Sequence, residues 1–211
     1  MSSAHPAARL NQLLTESDSP PIGEEKANQF ITYLTLLQKW NARTNLTAIR
    51  DEKGILSRHF LESILCARLL PPGLHTLLDF GSGAGFPGLP IAILHPEIAV
   101  TLAESQHKKA AFLREAVRVT GVDAKVHSGR AEELTSKYDC VTLRGVDNMA
   151  AAIPAAVQLI APNGYIAILT TIADAASFQS LADQTAKFTW SPLQPLPQGT
   201  ERVFLLGINS H

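Results

Sequence analysis

Cysteine is nearly missing from this chain. Cys66 and Cys140 are the only two, they form no Cys-x-x-Cys pair, and no histidine stands at ligand spacing from either. That removes a disulfide framework, a dithiol redox centre and a structural zinc site, and leaves two buried free thiols. The seven histidines are scattered, so no metal site is expected. No apolar run reaches the roughly 18 to 20 residues of a membrane span. The opening Met1-Ser2-Ser3-Ala4-His5-Pro6 lacks the basic and apolar regions of a signal peptide, so a cytoplasmic protein with no membrane partner is expected. A strong charge of one sign is also missing: the net charge is −1, so any nucleic-acid affinity must come from clustering of basic groups. Internal repeats, low-complexity tracts and long linkers are absent. What remains, 211 residues that are 45% apolar and 18% charged, suffices to bury a full core in one soluble unit with an N-terminal extension.

Against this background residues 77–90 stand out, an apolar run ending at Asp79 and followed by Gly81, Gly83, Gly85 and Gly88. A short buried strand, His75 to Leu78, delivers the chain to this loop. The glycines permit a sharp turn and a closer ligand approach than a Cβ allows. Pro87 suits the first turn of a following helix with Leu89, Ile91, Ala92 and Leu94 on its apolar face, and free amides at that helix start favour a carboxylate or phosphate. Two cofactor classes match. Gly81-x-Gly83-x-Gly85 is the pattern of S-adenosylmethionine enzymes, and Gly83-x-Gly85-x-x-Gly88 formally satisfies the dinucleotide fingerprint. The second match is weaker, because Asp79 to Ser82 separate the strand from the first glycine and two prolines crowd the helix start. Asp79 would take the ammonium of an amino-acid moiety, directly or through water, but would repel a pyrophosphate. Glu104, closing the β-prone run Ala99 to Ala103, lies where doubly wound sheets place the acid that holds ribose hydroxyls, roughly 20 residues on. It supports an adenosine ligand without choosing between the two. A third contact, to the base, is expected where Ala124 to His127 leads into Gly129-Arg130-Ala131-Glu132-Glu133, although an acidic pair there also complements a helix dipole.

Strand and helix alternate downstream: Tyr138 to Leu143 ending at Arg144, a helix from Met149 to Ile160, a turn at Pro162-Asn163-Gly164, a strand from Tyr165 to Leu169, and a helix from Ala173 to Lys187. Phe188 to Trp190 and Glu201 to Gly207 are two consecutive strands joined by the loop Ser191 to Gly199, which gives a mixed sheet with an antiparallel edge. Dehydrogenases usually continue with a second βαβ half, so this ending favours a methyltransferase. The fold class expected is therefore α/β, a doubly wound mixed sheet of the class I, S-adenosylmethionine-dependent type, with an N-terminal helical cap. Residues 1–72 form the cap, with helical spacing from Phe30 to Trp40 and from Ile55 to Leu70, and residues 73–211 form the cofactor-binding domain; Pro71-Pro72-Gly73 marks the boundary. The polar stretch Trp40 to Thr47 between the cap helices is either a substrate-contacting loop or a capped turn.

These segments together resemble one family. Asn45-Leu46-Thr47, Arg58-His59-Phe60-Leu61-Glu62-Ser63, the loop Asp79 to Pro90 with its Phe-Pro-Gly-Leu-Pro ending, Lys108-Lys109-x-x-Phe112-Leu113 and Arg130-Ala131-Glu132-Glu133 look like the glucose-inhibited division protein B family. The resemblance, from about Leu34 to Gly164, implies a bacterial methyltransferase acting on N7 of a guanine in 16S ribosomal RNA, with S-adenosylmethionine as cofactor and S-adenosylhomocysteine as product. It implies that Gly81 and Phe86 line the cofactor pocket, that Ala131 and Glu132 hold the adenine side, and that Arg144 lies at the active-site mouth. With Asp79, Ser82, Gly83, Gly85 and Glu104 these complete the expected cofactor set. Two segments depart from the family pattern: Leu169-Thr170-Thr171 and the stretch Gly207 to His211 lack its usual lysine and basic end.

Guanine N7 carries a lone pair and no proton, so its methylation needs alignment rather than a general base, and no acid–base residue is expected. Arg144 is read as a positioning contact to a phosphate, to guanine O6 or to the cofactor side. Arg43, Asn45, Arg58 and Lys108 are the candidate RNA contacts, to naked 16S rRNA or a small-subunit particle, in a protein expected to act as a monomer. A small-molecule methyltransferase and a nonenzymatic RNA- or ribosome-binding protein that keeps the pocket are the alternatives.

Overall fold

A computed structural model of the protein describes residues 5–197 and 201–210. The signal-peptide reading of Met1 to Ala4, the Gly199 end of the Ser191 loop and His211 lie outside the described residues. Helices α1 (Pro6–Glu16) and α2 (Glu24–Asn41) are followed by a single rod in three parts: α3 (Glu52–Gly54), a π-helical stretch (Ile55–Leu61) and α4 (Glu62–Leu69). Eight strands and four further helices follow: β1 (Thr76–Phe80), α5 (Gly88–Leu94), β2 (Ala99–Ala103), α6 (His107–Thr120), β3 (Ala124–His127), β4 (Tyr138–Arg144), α7 (Met149–Val157), β5 (Ile160–Thr171), α8 (Ile172–Asp183), β6 (Phe188–Trp190), β7 (Gln194–Pro195) and β8 (Arg202–Asn209). A 3₁₀ turn, Ala131–Glu133, precedes β4.

The strands form one sheet in the order β3-β2-β1-β4-β5-β8-β6, with β7 also paired to β8. The first five are parallel, and β8 runs antiparallel between β5 and β6. The chain reverses its winding direction between β1 and β4, which opens a crevice at the carboxyl ends of those strands. Alternation along each strand sends neighbours to opposite faces. Leu77 joins a core with α1, α2, α4, α5 and α6, and Leu78 joins a second core with α7 and α8. The proline break at 71–73 falls between α4 and β1, and the first core runs across it without interruption, from Leu10 and Phe30 to Leu102 and Phe204.

Two boundaries differ from the expected ones for identifiable reasons. Helix α7 stops at Val157, and β5 begins at Ile160 and passes straight through Pro162-Asn163-Gly164. The register jumps there from Tyr138↔Ile160 to Cys140↔Tyr165, so the turn signal marks a bulge inside a strand. Asn163 takes φ 58°, and a Cβ on Gly164 would lie 2.8 Å from Ile160. Helix α8 ends at Asp183 instead of Lys187, because the Asp183 carboxylate accepts from Phe188 N at 3.2 Å and from Trp190 Nε1 at 3.1 Å, turning the chain into β6.

Aromatic side chains fasten the cap to the glycine loop. Tyr33 is fully buried, stacks on Phe60 at 5.2 Å, meets Phe86 at 5.3 Å, and donates its hydroxyl to Ala84 O. Gly85 has φ +94°, and a Cβ there would sit 2.9 Å from the Tyr33 hydroxyl and 3.2 Å from Leu113. Gly73 has φ +82° with nothing within 4 Å. Gly85→Ala is therefore expected to lower unfolding free energy by about 2 to 4 kcal/mol, and Gly73→Ala by only about 1 kcal/mol. Urea unfolding of both variants checks this; equal losses would mean that close packing against Tyr33 contributes nothing.

Candidate functional site

Among the described residues the main cavity, about 630 Å³, lies at the carboxyl ends of β2, β1 and β4 and is roofed by the cap. Its lining includes Gly81, Ser82, Gly83, Phe86, Glu104, Ala131, Glu132 and Arg144 from the expected cofactor set. Gly83 (φ +59°) has an open approach, the nearest atom to a Cβ being a backbone oxygen at 3.9 Å. Its amide donates to Glu104 Oε2 at 2.9 Å, and Gln106 N donates to Oε1 at 2.7 Å. Glu104 thus ties the β1 and β2 loops together, and each oxygen keeps a second lone pair for a ligand. Glu132 pairs with Arg130 at 2.8 Å beside Ala131. A carboxylate for ribose hydroxyls, glycine backbone at Gly81 and Gly83 and a turn for a base fit the adenosyl part of S-adenosylmethionine.

Two expected cofactor residues lie away from the cavity. Asp79 is 1% exposed; its Oδ1 accepts from Thr142 Oγ1 at 2.8 Å and its Oδ2 from Gly88 N at 3.1 Å. It therefore occupies the helix start that was expected to present free amides to a ligand, and its carboxylate does not line the cavity. Gly85 packs against Tyr33, and Gly88 against Asp79 and Leu102, where a Cβ would lie within 2.7 Å. Two of the three dinucleotide-fingerprint glycines are thus packing positions.

The candidate RNA residues separate as well. Arg58 lines the cavity. Arg43, Asn45 and Lys108 are exposed outside it, Asn45 Oδ1 accepts from Arg50, and Lys109 is the cavity-facing member of the lysine pair. The polar stretch after α2 is ordered by Asn41, whose Oδ1 accepts from Leu46 N at 2.9 Å and Thr47 N at 3.1 Å and whose Nδ2 donates to Thr47 O at 3.1 Å. It is a capped turn that also brings Leu46 and Thr47 to the cavity wall.

Arg144 is held in a buried ion pair. Its guanidinium donates to Glu62 Oε2 at 2.7 Å, to Ser63 Oγ at 3.3 Å and to Arg58 O, and its side chain is 9% exposed. Glu62, with no exposed surface, also accepts from Arg58 Nε at 3.1 Å and Arg202 at 3.3 Å. His59 lines the cavity between this centre and the loop: Nε2 meets Thr47 Oγ1 at 2.7 Å and the ring stacks on Phe86 at 4.7 Å. Burial, followed by the charges of Arg144, Arg58 and Arg202, holds the imidazole down to about 3, so it stays neutral. Glu62, His59, Lys109 and Arg202 were not singled out from sequence. Glu62, His59 and Lys109 were visible only as members of motifs, and Arg202 belongs to no motif.

An open α/β sheet with this strand order and a crevice of this lining defines a class I methyltransferase fold. Solved structures agree: a ribosomal protein L11 methylase from Lactobacillus delbrueckii subsp. bulgaricus superposes with a TM-score of 0.59 at 12% identity, over 76% of this chain and 80% of that one. P. horikoshii TYW2, solved in complex with MeSAdo, gives 0.57 at 14% identity, over 72% and 63%. The family described as rRNA small subunit methyltransferase G matches residues 26–194, and the chain belongs to that family. A ribosomal RNA small subunit methyltransferase G from Roseiflexus sp. (strain RS-1) is 46% identical over 136 residues, 61% of this chain and 58% of the relative's length. The Xanthomonas campestris pv. campestris (strain B100) relative is 40% identical over 163 residues, 76% of this chain and 74% of its own.

Burial pushes the Asp79 carboxyl up to about 6, with hydrogen bonds, led by that of Thr142, pulling the other way. An acid whose folded pKa lies above its unfolded value keeps its proton longer when folded. Its ionisation therefore costs stability, and that cost disappears as pH falls from about 6 to the ordinary value near 4. Asp79→Asn removes this titration. The unfolding free energy of the parent minus that of the variant should rise by about 1 kcal/mol per pH unit on acidification through that window. Urea titrations between pH 4 and 7 measure it, and a difference independent of pH would refute the assignment.

Proposed function

We propose that the protein transfers a methyl group from S-adenosylmethionine to N7 of a guanine in 16S ribosomal RNA, acting in the cytoplasm as a monomer. Family membership supports the reaction class, and one observation supports the reading of the site. The cavity has a cofactor half built from Gly81, Gly83, Glu104, Ala131 and Glu132, and a cationic half built from Arg58, Arg144 and Arg202, side by side along the sheet edge. When bound, S-adenosylmethionine supplies a methyl group on a sulfonium centre.

The chain's own part is placement. Glu104 and the Gly81 to Gly83 backbone hold the nucleoside end, while Phe86, fixed between His59 and Tyr33, forms the wall against which the reacting groups align. N7 needs no proton removed. His59, neutral throughout the working range, neither competes for a proton nor adds positive charge beside the methylated base. Arg43 and Lys108 serve as outer phosphate contacts, Asn45 as a sugar or base contact, and Arg58 as the inner one.

Glu104→Ala is expected to weaken S-adenosylmethionine binding by about 1 to 3 kcal/mol, as for loss of charge-assisted hydrogen bonds. Calorimetric titration measures it, and an unchanged affinity would remove Glu104 from the site. The reaction is tested by incubating the protein with methyl-labelled S-adenosylmethionine and either 16S rRNA or small-subunit particles from a strain lacking the enzyme. Label in 7-methylguanosine at one position is the expected result. Label in free metabolites would indicate a small-molecule enzyme, and cofactor binding without any transfer a nonenzymatic RNA-binding protein.

A further inference from the structure

We propose that Glu62 and the three arginines around it form an oxyanion subsite that receives a phosphate group of the substrate nucleotide, with Arg58 and Arg202 as its ligands and Glu62 as its positioning residue. The inference rests on the reading of the substrate as RNA.

The charges do not balance. Arg58 Nε (3.1 Å), Arg144 (2.7 Å) and Arg202 (3.3 Å) converge on one fully buried carboxylate, and no other Asp or Glu lies within 4.0 Å of these guanidinium groups among the described residues. His59 beside them is neutral. Three cations therefore face one anion, with Arg144 buried and Arg58 and Arg202 open to the cavity, so this wall carries a net positive charge that an anion would compensate. The three arginines do not stand equal. Arg144 has its guanidinium engaged by Glu62, Ser63 Oγ and Arg58 O, and is the inner member. Arg58 and Arg202 each contact only Glu62 through their guanidinium groups among the described residues, and their side chains are 41% and 20% exposed on the cavity. Arg202 Nε is buried with no partner at all. Planar forks with spare donors, held open on a shared carboxylate, suit a tetrahedral phosphate.

Position assigns the ligand. Glu104 ends β2, the glycine loop ends β1 and the Ala131 turn follows β3, so the adenosyl contacts occupy one half of the sheet edge. Arg144 ends β4, and Arg202 on β8 pairs with Thr171 at the end of β5, so the arginine centre occupies the opposite half. Arg202 thereby places on the neighbouring antiparallel strand a cation that Thr170 and Thr171 do not provide. The cofactor's own carboxylate shares oxyanion chemistry with a phosphate, and the test separates the two.

The protein, saturated with S-adenosylhomocysteine, is titrated by NMR with guanosine, guanosine 5′-monophosphate and guanosine 3′-monophosphate. One of the monophosphates should bind at least about tenfold more tightly than guanosine, the gain from charge-assisted hydrogen bonds. Arg202→Gln should reduce that preference to within about threefold, Arg202→Lys should restore part of it, and S-adenosylmethionine affinity should stay within about twofold in both. Thermal unfolding of each variant confirms that it is folded. A parent without phosphate preference, or a preference that survives Arg202→Gln, overturns the proposal. A loss confined to S-adenosylmethionine affinity overturns it too and assigns the centre to the cofactor carboxylate. The monophosphate preference is read without methyl transfer, so a failed rRNA assay with the preference intact would count against the proposed reaction and not against the subsite.

Discussion

The buried carboxylate of Glu62 is the point on which three parts of the chain converge. It belongs to the cap rod, and the arginines it holds come from that rod, from the end of β4 and from β8. Removing Glu62 would leave its arginines without their shared anion, at a cost of about 3 to 5 kcal/mol for a pair as buried as Glu62 and Arg144. The cap therefore rests on the carboxyl edge of the sheet through a polar clamp as well as through its apolar core. The same clamp shapes the electrostatics of the cavity: its arginines add to the burial that keeps His59 neutral, and they leave the wall opposite the adenosyl contacts positive. A chain with a net charge of −1 can in this way present a local cationic surface without being a basic protein.

A second carboxylate organises the other half. Asp79 takes the amide at the start of α5 and the hydroxyl of Thr142 on β4, so the glycine loop is fixed from beneath by an internal anion. From above, Tyr33 holds Ala84 O and His59 stacks on Phe86. Glu104 closes the side by accepting from Gly83 N. Each contact comes from a different part of the chain, so the loop's shape is held by its surroundings, an arrangement that lowers the ordering cost of binding.

The fold was legible from sequence because local signals agreed with one another. The β1 to β4 runs, the glycine loop and the final antiparallel pair each have a pattern that one architecture satisfies. Legibility failed where tertiary packing overrode a local signal. Pro162-Asn163-Gly164 has turn chemistry, yet pairing with β4 on both sides of it makes it a bulge. Asp79 and Gly85 sit in a ligand-binding motif, and only packing shows that one braces a helix and the other accommodates a tyrosine. The π-helical stretch Ile55–Leu61 has the same apolar spacing as an α-helix, so the altered winding that brings Arg58, His59 and Glu62 to the site leaves no mark in the periodicity.

Arg202 shows the same limit at its sharpest. In sequence it is a lone basic residue far from every motif, separated from Glu62 by 140 positions. Nothing local distinguishes it from a solvated surface arginine. Its role follows from strand order alone: β8 inserts antiparallel beside β5, the register sets Arg202 against Thr171, and that pairing delivers its guanidinium to the carboxylate on the cap. The antiparallel end of the sheet, read from sequence as a feature separating two fold classes, thus also completes the charged half of the cavity.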